Sequence, residues 1–494
     1  VYRAEESKGF IASPFDEFSV RLVLAIAHAG RMQQRGDGNY MAAIGHVSAA
    51  LAHAEHVLRP GSIASVQAML LLHEYSMIDP HHFDSWGLIG AASRAMVDLG
   101  LHQDPPRSAS ISKAKLELRR RVFWCVYGFD RSTSLIQSRA FSFSDDSANV
   151  ALPFSTTQTL GRPETRDDSN HILFNSFGSA TDLFNLRRIQ SDWYTELFQS
   201  GRIPLSDPYP TIWRSCEAMK SWFDGLSPNM SPQVRTFFEL NLLYSYIYIL
   251  AASPRMPFVA PFAQSLIFEH CIQYAEKMTS HANERVKTAP LSFFDAMRVY
   301  MTGRQFLEVL QGNEDRLLSG IIPDPPHVPV DSAPPPTAPH TPRDFQKNLV
   351  RSITCIKRLT NCLGLFGLRW GYMSWRDRFQ RDSESLLSSL NQRVWKRQDS
   401  SNNTTRPAWN FPEPIGSLSE AVAPPGPHQH LQPLITPTYP PEFQQSTAFY
   451  QSQYNNSAPQ TDHQYPAWHG FASEALGPIG DQSEQPSMSH TRSY

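Results

Sequence analysis

The chain has 494 residues, and its 44 basic and 46 acidic side chains leave a net charge of −2. A domain that binds nucleic acid by itself usually carries a strong basic excess on one face, so this balance argues against such a module here. The length allows more than one domain, or one large domain with a disordered appendage.

The cysteines predict buried thiols in a reducing compartment, because they are odd in number and scattered through apolar stretches. They are Cys125, Cys216, Cys271, Cys355 and Cys362. The spacing of Cys355 and Cys362 also occurs in zinc clusters, but a cluster needs four or six ligands close together. We therefore expect these two thiols to lie on a helix and to be buried in the core. For the chain as given we expect no catalytic residue, no bound metal and no cofactor.

The beginning of the chain is polar and lacks the apolar segment of a signal peptide. The most apolar stretch, residues 237–252, contains Glu239 and Asn241 and is shorter than the roughly 20 residues that a bilayer requires. We predict a buried core helix there and no membrane partner. Because the first residue is Val1, we expect the chain to be a fragment or a processed product.

Apolar residues recur at helical spacing through the first 315 or so residues, whereas alternating runs bounded by turn residues are scarce. The predicted fold class is therefore all-α. The predicted helices are 17–29, 40–58, 62–78, 86–99, 110–135, 180–198, 212–223, 232–252, 262–278 and 293–310. Residues 141–153 have lost the helical period and are expected to be extended, and residues 155–169 are expected to form a polar loop.

The composition divides the rest of the chain into three parts after a main domain at 1–320. Residues 321–343 are Pro-rich and predict an extended linker or loop. Residues 344–397 predict two helices, 345–365 and 370–395, that return to pack on the main domain because Leu349, Ile353 and Ile356 need apolar cover. Residues 398–494, rich in Gln, Ser, Pro and Tyr, predict a disordered tail. Its aromatics among acids resemble an activation segment, although a solvated tail without function is an equal alternative.

Two neighbouring helices carry the most informative residues. Trp86, Gly90 and Arg94 are spaced to lie along one helix face. A glycine in mid-helix costs about 1 kcal/mol relative to alanine, so we expect a neighbouring helix to approach Gly90 closely. In the next helix three successive arginines cannot share one flat face. At least one should turn toward the body and need an acid, for which Glu117 and Asp130 are candidates; contact with nucleic acid is the weaker alternative.

These residues, followed by an extended Arg-Ala-Phe-Ser-Phe-Ser-Asp-Asp segment, resemble the fungal-specific transcription factor domain, the middle homology region of binuclear zinc-cluster regulators. The motif residues, for which we expect a structural role, are Trp86, Gly90, Ala91, Arg94, Gly100, Leu101, His102, Glu117, Arg119, Arg120, Arg121, Phe123, Trp124, Asp130, Arg131, Arg139 and Pro153. The family commonly has Gly-Arg-Pro where this chain has Ser138-Arg139-Ala140, which predicts a less fixed turn.

The resemblance implies a nuclear regulator of RNA polymerase II transcription. It also implies that zinc and DNA are bound by an N-terminal six-cysteine cluster that is not among these residues. A homodimer, a small-molecule effector and recruitment of the transcription machinery by the tail are the partners expected on this basis. One alternative is a helical interaction scaffold that never had a DNA module.

A helical metal-dependent enzyme is the weakest alternative, because no motif that it needs is intact. His73-Glu74 begins like a zinc-protease helix, but Met77 stands where the second histidine should be. The paired acids at 145–146 and 167–168 are not followed by a third acid at helical spacing. The aromatic helices around Tyr244 and Tyr300 are expected to be core, and a cavity between them is the natural place for an effector.

Overall fold

The computed structural model describes residues 12–106, 108–153, 171–199, 203–283, 291–339 and 341–403, without the side chains of 171–177 and 395–403. These residues form fourteen α-helices and no strand, so the all-α class is confirmed. The loop expected at 155–169 and nearly all of the tail lie outside the described residues.

The helices, in chain order, are α1 Pro14–Arg31, α2 Gly38–Leu51, α3 Ala54–Val57, α4 Ile63–Ile78, α5 Ser85–Asp98, α6 Lys113–Ile136, α7 His171–Tyr194, α8 Tyr209–Asp224, α9 Pro232–Leu250, α10 Pro261–Asn283, α11 Phe293–Leu310, α12 Glu314–Ser319, α13 Phe345–Trp370 and α14 Met373–Asn403. A short 3-10 turn, Asp145–Ser147, interrupts the extended segment after α6, and a π-turn, Thr195–Gln199, continues α7.

Side-chain caps fix where several helices begin. The Ser62 side chain accepts a hydrogen bond from the Ser65 backbone at the start of α4, and Asp84 accepts from the amides of Trp86 and Gly87 at the start of α5. Ser112 caps α6 in the same way. These side chains satisfy amides that have no partner within the helix, so the local sequence alone determines these boundaries.

Several predicted helix bounds differ from the structure: α7 begins at His171 and not at 180, and α13 continues to Trp370, beyond its predicted end at 365. The helix expected at 40–58 is two helices, because the chain turns at residues 52–53, where the His53 amide bonds the Ala50 carbonyl. The short helix α12 was not predicted; it has only six residues and ends at Gly320, whose φ of 70° is left-handed. A helix this short shows too little of the apolar period to be recognised from the sequence.

The helices bury three apolar clusters. The first lies between α1, α2 and α4, and the second between α4, α5 and α6. The largest spans α7 to α14, where α10 packs against α9, α11 and α13. Tyr244, Tyr248, Met297, Tyr300 and Phe306 lie buried in this largest cluster, so the interpretation of the aromatic helices as core is confirmed.

The helices after the Pro-rich segment return to this largest cluster. Leu349, Ile353 and Ile356 are buried there, and α13 packs on α10 and α11. The Pro-rich segment follows the surface of the body: Val328 packs against the core, and the Thr341 hydroxyl donates to the buried Glu269 carboxylate at 2.9 Å. The segment is extended, and these two contacts attach part of it to the helical body.

Four of the five cysteines are buried, as expected, and all five are free thiols. The exception is Cys125 on α6, which is exposed. Cys355 and Cys362 lie seven residues apart on α13 and both face the core. Their spacing therefore reflects two turns of an amphipathic helix.

Candidate functional site

The motif face of α5 packs against the chain segment that follows α6. The Arg139 guanidinium carbon lies 4.5 Å from the centre of the Trp86 ring, and a Cβ on Gly90 would lie 3.9 Å from Ser142 Oγ and 3.6 Å from Arg94 Nη1. These side chains are the closest neighbours of the glycine, so the expectation that a second helix approaches Gly90 was wrong.

A methyl group fits at Gly90, because both distances are ordinary van der Waals contacts. We expect Gly90→Ala to raise the free energy of unfolding by up to about 1 kcal/mol through helix propensity. Chemical denaturation of the full chain measures the change. A loss of stability would instead show that this face of α5 has no room for a methyl group.

The three successive arginines of α6 are all engaged by nearby groups. Arg119 donates to the Gly100 carbonyl at 2.6 Å, and Arg120 makes paired hydrogen bonds to Asp104, the shortest at 2.7 Å. The third arginine bonds the Glu117 carboxylate at 3.1 Å. This triplet therefore forms intramolecular bonds, and one of the two predicted acids takes part.

The other predicted acid, Asp130, belongs to a buried ionic cluster around Arg131. The Arg131 side chain is 1% exposed and bonds Asp130 Oδ2 at 2.5 Å, Asp145 Oδ1 at 3.2 Å, Ser191 Oγ at 3.0 Å and the Phe143 carbonyl at 2.9 Å. Ser191 also donates to Asp145. One guanidinium thus joins α6, the segment after it and α7, which lie far apart in the sequence.

Aromatic rings enclose the same guanidinium. Its central carbon lies 4.4 Å from the ring centre of Tyr127, 4.3 Å from that of Phe141 and 4.5 Å from that of Phe143. Aromatic faces attract a cation most strongly where water is excluded. The buried charge is therefore compensated by carboxylates on one side and by rings around it.

The segment from 148 to 153 is fixed to the start of the motif. Trp124 Nε1 donates to the Ala151 carbonyl at 3.0 Å, and the Ala151 amide donates to Asp104 at 3.2 Å. The backbones of His102 and Asn149 also bond, with the Asn149 amide 2.9 Å from the His102 carbonyl. Pro153 is buried where the described segment ends. This is the ordered, extended segment that the sequence predicts.

The turn at 138–140 is well held, although it lacks the glycine and proline common in the family. Ser138 has a φ of 54°, the one left-handed non-glycine residue among those described, which explains why glycine suits this position. The Ser138 hydroxyl lies 3.2 Å from the Tyr248 hydroxyl, and the Arg139 carbonyl accepts from Tyr194 and Gln199, both at 3.2 Å. Tertiary hydrogen bonds replace the missing backbone preference.

The left-handed backbone of Ser138 gives a direct prediction. Ser138→Gly and Ser138→Ala both lose the hydroxyl contact, so their difference reports the backbone conformation. We expect the glycine variant to be the more stable by about 1 kcal/mol, since a Cβ disfavours this conformation. Thermal and urea unfolding of the two variants measure it, and equal stabilities would contradict the left-handed assignment.

Two grooves lie next to the Arg131 cluster, with volumes of about 720 and 790 Å3. Asp145 and Asp192 line both, and burial together with the nearby Asp145 raises the pKa of Asp192. Each groove has several aromatic rings and one arginine in its lining, Arg214 in the first and Arg188 in the second.

Nothing in the described part of the chain groups three or more His, Cys, Asp or Glu side chains around a position for a metal ion. His73 is fully buried, and burial lowers its pKa to about 4, so its ring is neutral; Nδ1 lies 3.0 Å from the Ser85 carbonyl. His81 and His82 point to different partners, the Trp370 carbonyl and Asp79. The remnant of a zinc-protease motif is therefore part of the core packing.

The sequence did not reveal a second buried arginine. Arg187 of α7 is 5% exposed and bonds the amide oxygens of Gln190 at 2.6 Å and Asn241 at 3.2 Å. Burial lowers its pKa to about 9. Among the described residues no carboxylate lies within ion-pair distance of it. Its flanking sequence shows only an amphipathic helix, so no local signal could have identified it.

The described residues thus form an all-α body in which the charged residues of the motif bond to other groups of the same chain. Residues 23–228 match the family model for the fungal specific transcription factor domain. In this region the chain is similar to fungal transcription regulators. The family and these relatives are transcription regulators and not enzymes.

Curated relatives match over part of their length. Pyrimidine pathway regulatory protein 1 of Saccharomyces cerevisiae is 27% identical over 208 residues, which cover 40% of this chain and 23% of the relative. The positive regulator of purine utilization of Emericella nidulans is 28% identical over 167 residues, 27% of this chain and 15% of the relative. An ABC-transporter-regulating transcription factor of Aspergillus fumigatus is 27% identical over 223 residues, 44% and 24% of the two chains. No solved structure gives a significant match.

Proposed function

We propose that this chain is the regulatory part of a nuclear, DNA-binding transcription regulator whose zinc and DNA contacts lie in a separate module. The observation that carries the proposal is the internal use of the motif arginines. Arg119, Arg120 and Arg131 bond carbonyls and carboxylates of the same chain, and the net charge of the chain is −2. Binding to phosphates needs cations that are free to displace counterions.

The proposed division of labour follows from this arrangement. The separate module finds the DNA site, the helical body transmits or represses the signal, and the tail recruits the transcription machinery. Residues 398–494 contain eight acids, scattered aromatics and no lysine. Such segments bind by ordering short stretches on contact with a partner. No described helix is both long and apolar enough to cross a bilayer.

The tail gives a direct test of the proposal. We expect residues 398–494, fused to a heterologous DNA-binding domain, to activate a reporter gene. Alanine in place of the tail's large apolar side chains should reduce activation to background, because these side chains would make the contacts with the partner. The seven to be replaced, chosen from a larger set in the tail, are Phe443, Phe449, Tyr450, Tyr454, Trp468, Phe471 and Leu476. Replacing seven of the tail's Gln and Ser residues is the matched control, and a silent unmodified fusion would refute the role of the tail.

The proposal includes two further partners, a second copy of the chain and a small-molecule effector. A homodimer would let two DNA-binding modules act on paired half-sites. Sedimentation equilibrium of the full chain tests it, with a mass of two chains expected at micromolar concentration. A monomer across the accessible range would leave dimerisation to the separate module.

A further inference from the structure

An apolar stripe follows the solvent-facing side of α1. Val20, Val23 and Leu24 are 42%, 53% and 39% exposed. Ala27 follows one turn later and is exposed as well. Residues three and four positions apart lie on the same side of a helix, so these four form one continuous surface, the α1 stripe. The opposite side of α1, which includes Phe18, is buried in the first cluster. A helix that is apolar on both sides is typically covered on both.

One charged residue lies at each end of the α1 stripe. Asp16 precedes Val20 by four positions and Arg31 follows Ala27 by four, so both continue the stripe on the same side of the helix. Both are exposed. The Asp16 carboxylate accepts hydrogen bonds from the Ser13 amide at 3.1 Å and the Ser13 hydroxyl at 2.7 Å. These bonds lower the pKa of Asp16, so its carboxylate is charged at neutral pH.

The charged residues beside the α1 stripe are directed away from it. Glu17 lies 2.9 Å from His53, and Arg21 lies 3.5 Å from Nδ1 of His46, so both side chains extend toward α2 and the turn that follows it. The centre of the stripe is therefore neutral and apolar, with one acid and one base at its ends.

The order of residues along the stripe is symmetric. The pairs 16 and 31, 20 and 27, and 23 and 24 are all centred between residues 23 and 24. If two copies of α1 pack antiparallel about a two-fold axis at this point, Asp16 of each copy meets Arg31 of the other, and Val23 meets Leu24. In a parallel pair Asp16 would meet a second Asp16 and be repelled. The stripe is thus complementary to itself in the antiparallel orientation.

We propose that the α1 stripe packs antiparallel against the same stripe of a second copy of this chain. Its positions 16, 20, 23 and 27 are four, three and four residues apart, which suits two helices that cross at about 20°. With 18 residues α1 is about 27 Å long, so the contact is small and the dimer should dissociate in the micromolar range. The contact locates the homodimer of the proposed function and rests on that function for its role in pairing two DNA-binding modules.

Sedimentation equilibrium of the purified full chain tests the apolar centre. Val23→Glu puts two carboxylates next to the two-fold axis and should weaken dimerisation by about a hundredfold, because both would be buried in the contact. Val350→Glu is the matched control: Val350 on α13 is 50% exposed, close to the 53% of Val23. This control should dimerise like the unmodified chain. Circular dichroism should show the same helix content in both variants, since neither substitution buries a charge within one chain.

Charge reversal tests the antiparallel orientation. Asp16→Arg places two bases opposite each other at both ends of the contact, and Arg31→Glu places two acids there. Each variant alone should therefore dimerise about tenfold more weakly than the unmodified chain. In an equal mixture the two variants can form a heterodimer in which both contacts join opposite charges, so the mixture should recover the original affinity. Loss of the bonds between Ser13 and Asp16 cannot imitate this recovery, because the mixture lacks them in the same chain.

A full chain that stays monomeric across the accessible concentrations would overturn the proposal, and residues 1–11 or another protein would then be the partner of the stripe. A dimer that Val23→Glu leaves unchanged would reject this surface but keep the homodimer of the proposed function. A mixture that dimerises no better than its two components would reject the antiparallel orientation and with it the proposal. The reporter assay of the tail depends on none of these results, so the regulatory function and this contact can fail separately.

Discussion

Arg131→Met should lower the free energy of unfolding by about 3–5 kcal/mol, because it leaves a buried carboxylate without its counter-charge. The Asp130 side chain is 0% exposed and has no access to water. The variant also removes the hydrogen bonds that connect α6 to Asp145 and to Ser191 of α7. Methionine keeps much of the volume of the side chain, so the loss reports charge and hydrogen bonding more than packing.

Two comparisons sharpen this prediction. Arg120→Met breaks the more accessible pair with Asp104, whose side chains are 18% and 24% exposed, and should cost about 1 kcal/mol. The double variant Asp130→Leu with Arg131→Met removes both buried charges and should recover part of the loss. Urea denaturation of the full chain measures all three. If Arg131→Met costs no more than Arg120→Met, the ionic cluster does not stabilise the fold.

The second large effect is expected at Trp370, near the end of α13. Its side chain is 1% exposed, and its Nε1 donates to the Ile78 carbonyl at 2.7 Å. His81 Nε2 lies 2.5 Å from the Trp370 carbonyl, and the ring packs edge-on against Phe293. Trp370→Ala should lower the free energy of unfolding by about 3–5 kcal/mol through the lost contacts and the cavity that it leaves.

Trp370→Phe is the matched control, because it keeps an aromatic ring and loses the indole N–H. We expect a cost of about 1–3 kcal/mol from the unpaired Ile78 carbonyl and the lost volume. A single unfolding transition in circular dichroism should shift in both variants. If α13 and α14 unfolded separately while the rest kept its stability, the C-terminal helices would be an accessory and not part of the same core.

The unfolding of the Trp370 variants also tests how far the folded domain extends beyond the family match. The match ends at residue 228, yet α13 lies more than a hundred residues further on and contacts α4 through Trp370. We propose that residues 344–397 fold together with residues 1–320 and that the segment 321–343 is a connection along the surface. Truncation after Gly320 should then expose the apolar surfaces of α10 and α11 that α13 covers. We expect the truncated chain to be less soluble for this reason.

Local features were the most predictable from the sequence. The caps at Ser62, Asp84 and Ser112 and the left-handed Gly100 lie within one turn of the helices that they end or begin, so their effect follows from nearby residues. The helix at Phe293–Leu310 was predicted with its exact bounds. Apolar period and capping are short-range properties, and they persist in the tertiary structure.

The partners of the charged residues were less predictable. Glu117 was correctly paired within α6, because an acid four residues before an arginine lies on the same face. Arg120, however, pairs with Asp104 across a loop, and Arg131 meets Ser191 sixty residues away. The partners of a buried charge are set by which elements meet in three dimensions, and no periodicity in the sequence encodes that meeting.

The sequence by itself determined that the chain is helical, where many of its helices begin, and that its motif resembles that of the fungal-specific transcription factor domain. Only the tertiary structure decided that Gly90 faces side chains and that Ser138 is left-handed. The physical reason is the distance along the chain between the residues that each feature requires. Helix formation depends on residues within a few positions of each other, whereas cavities and buried ion pairs depend on how distant helices pack.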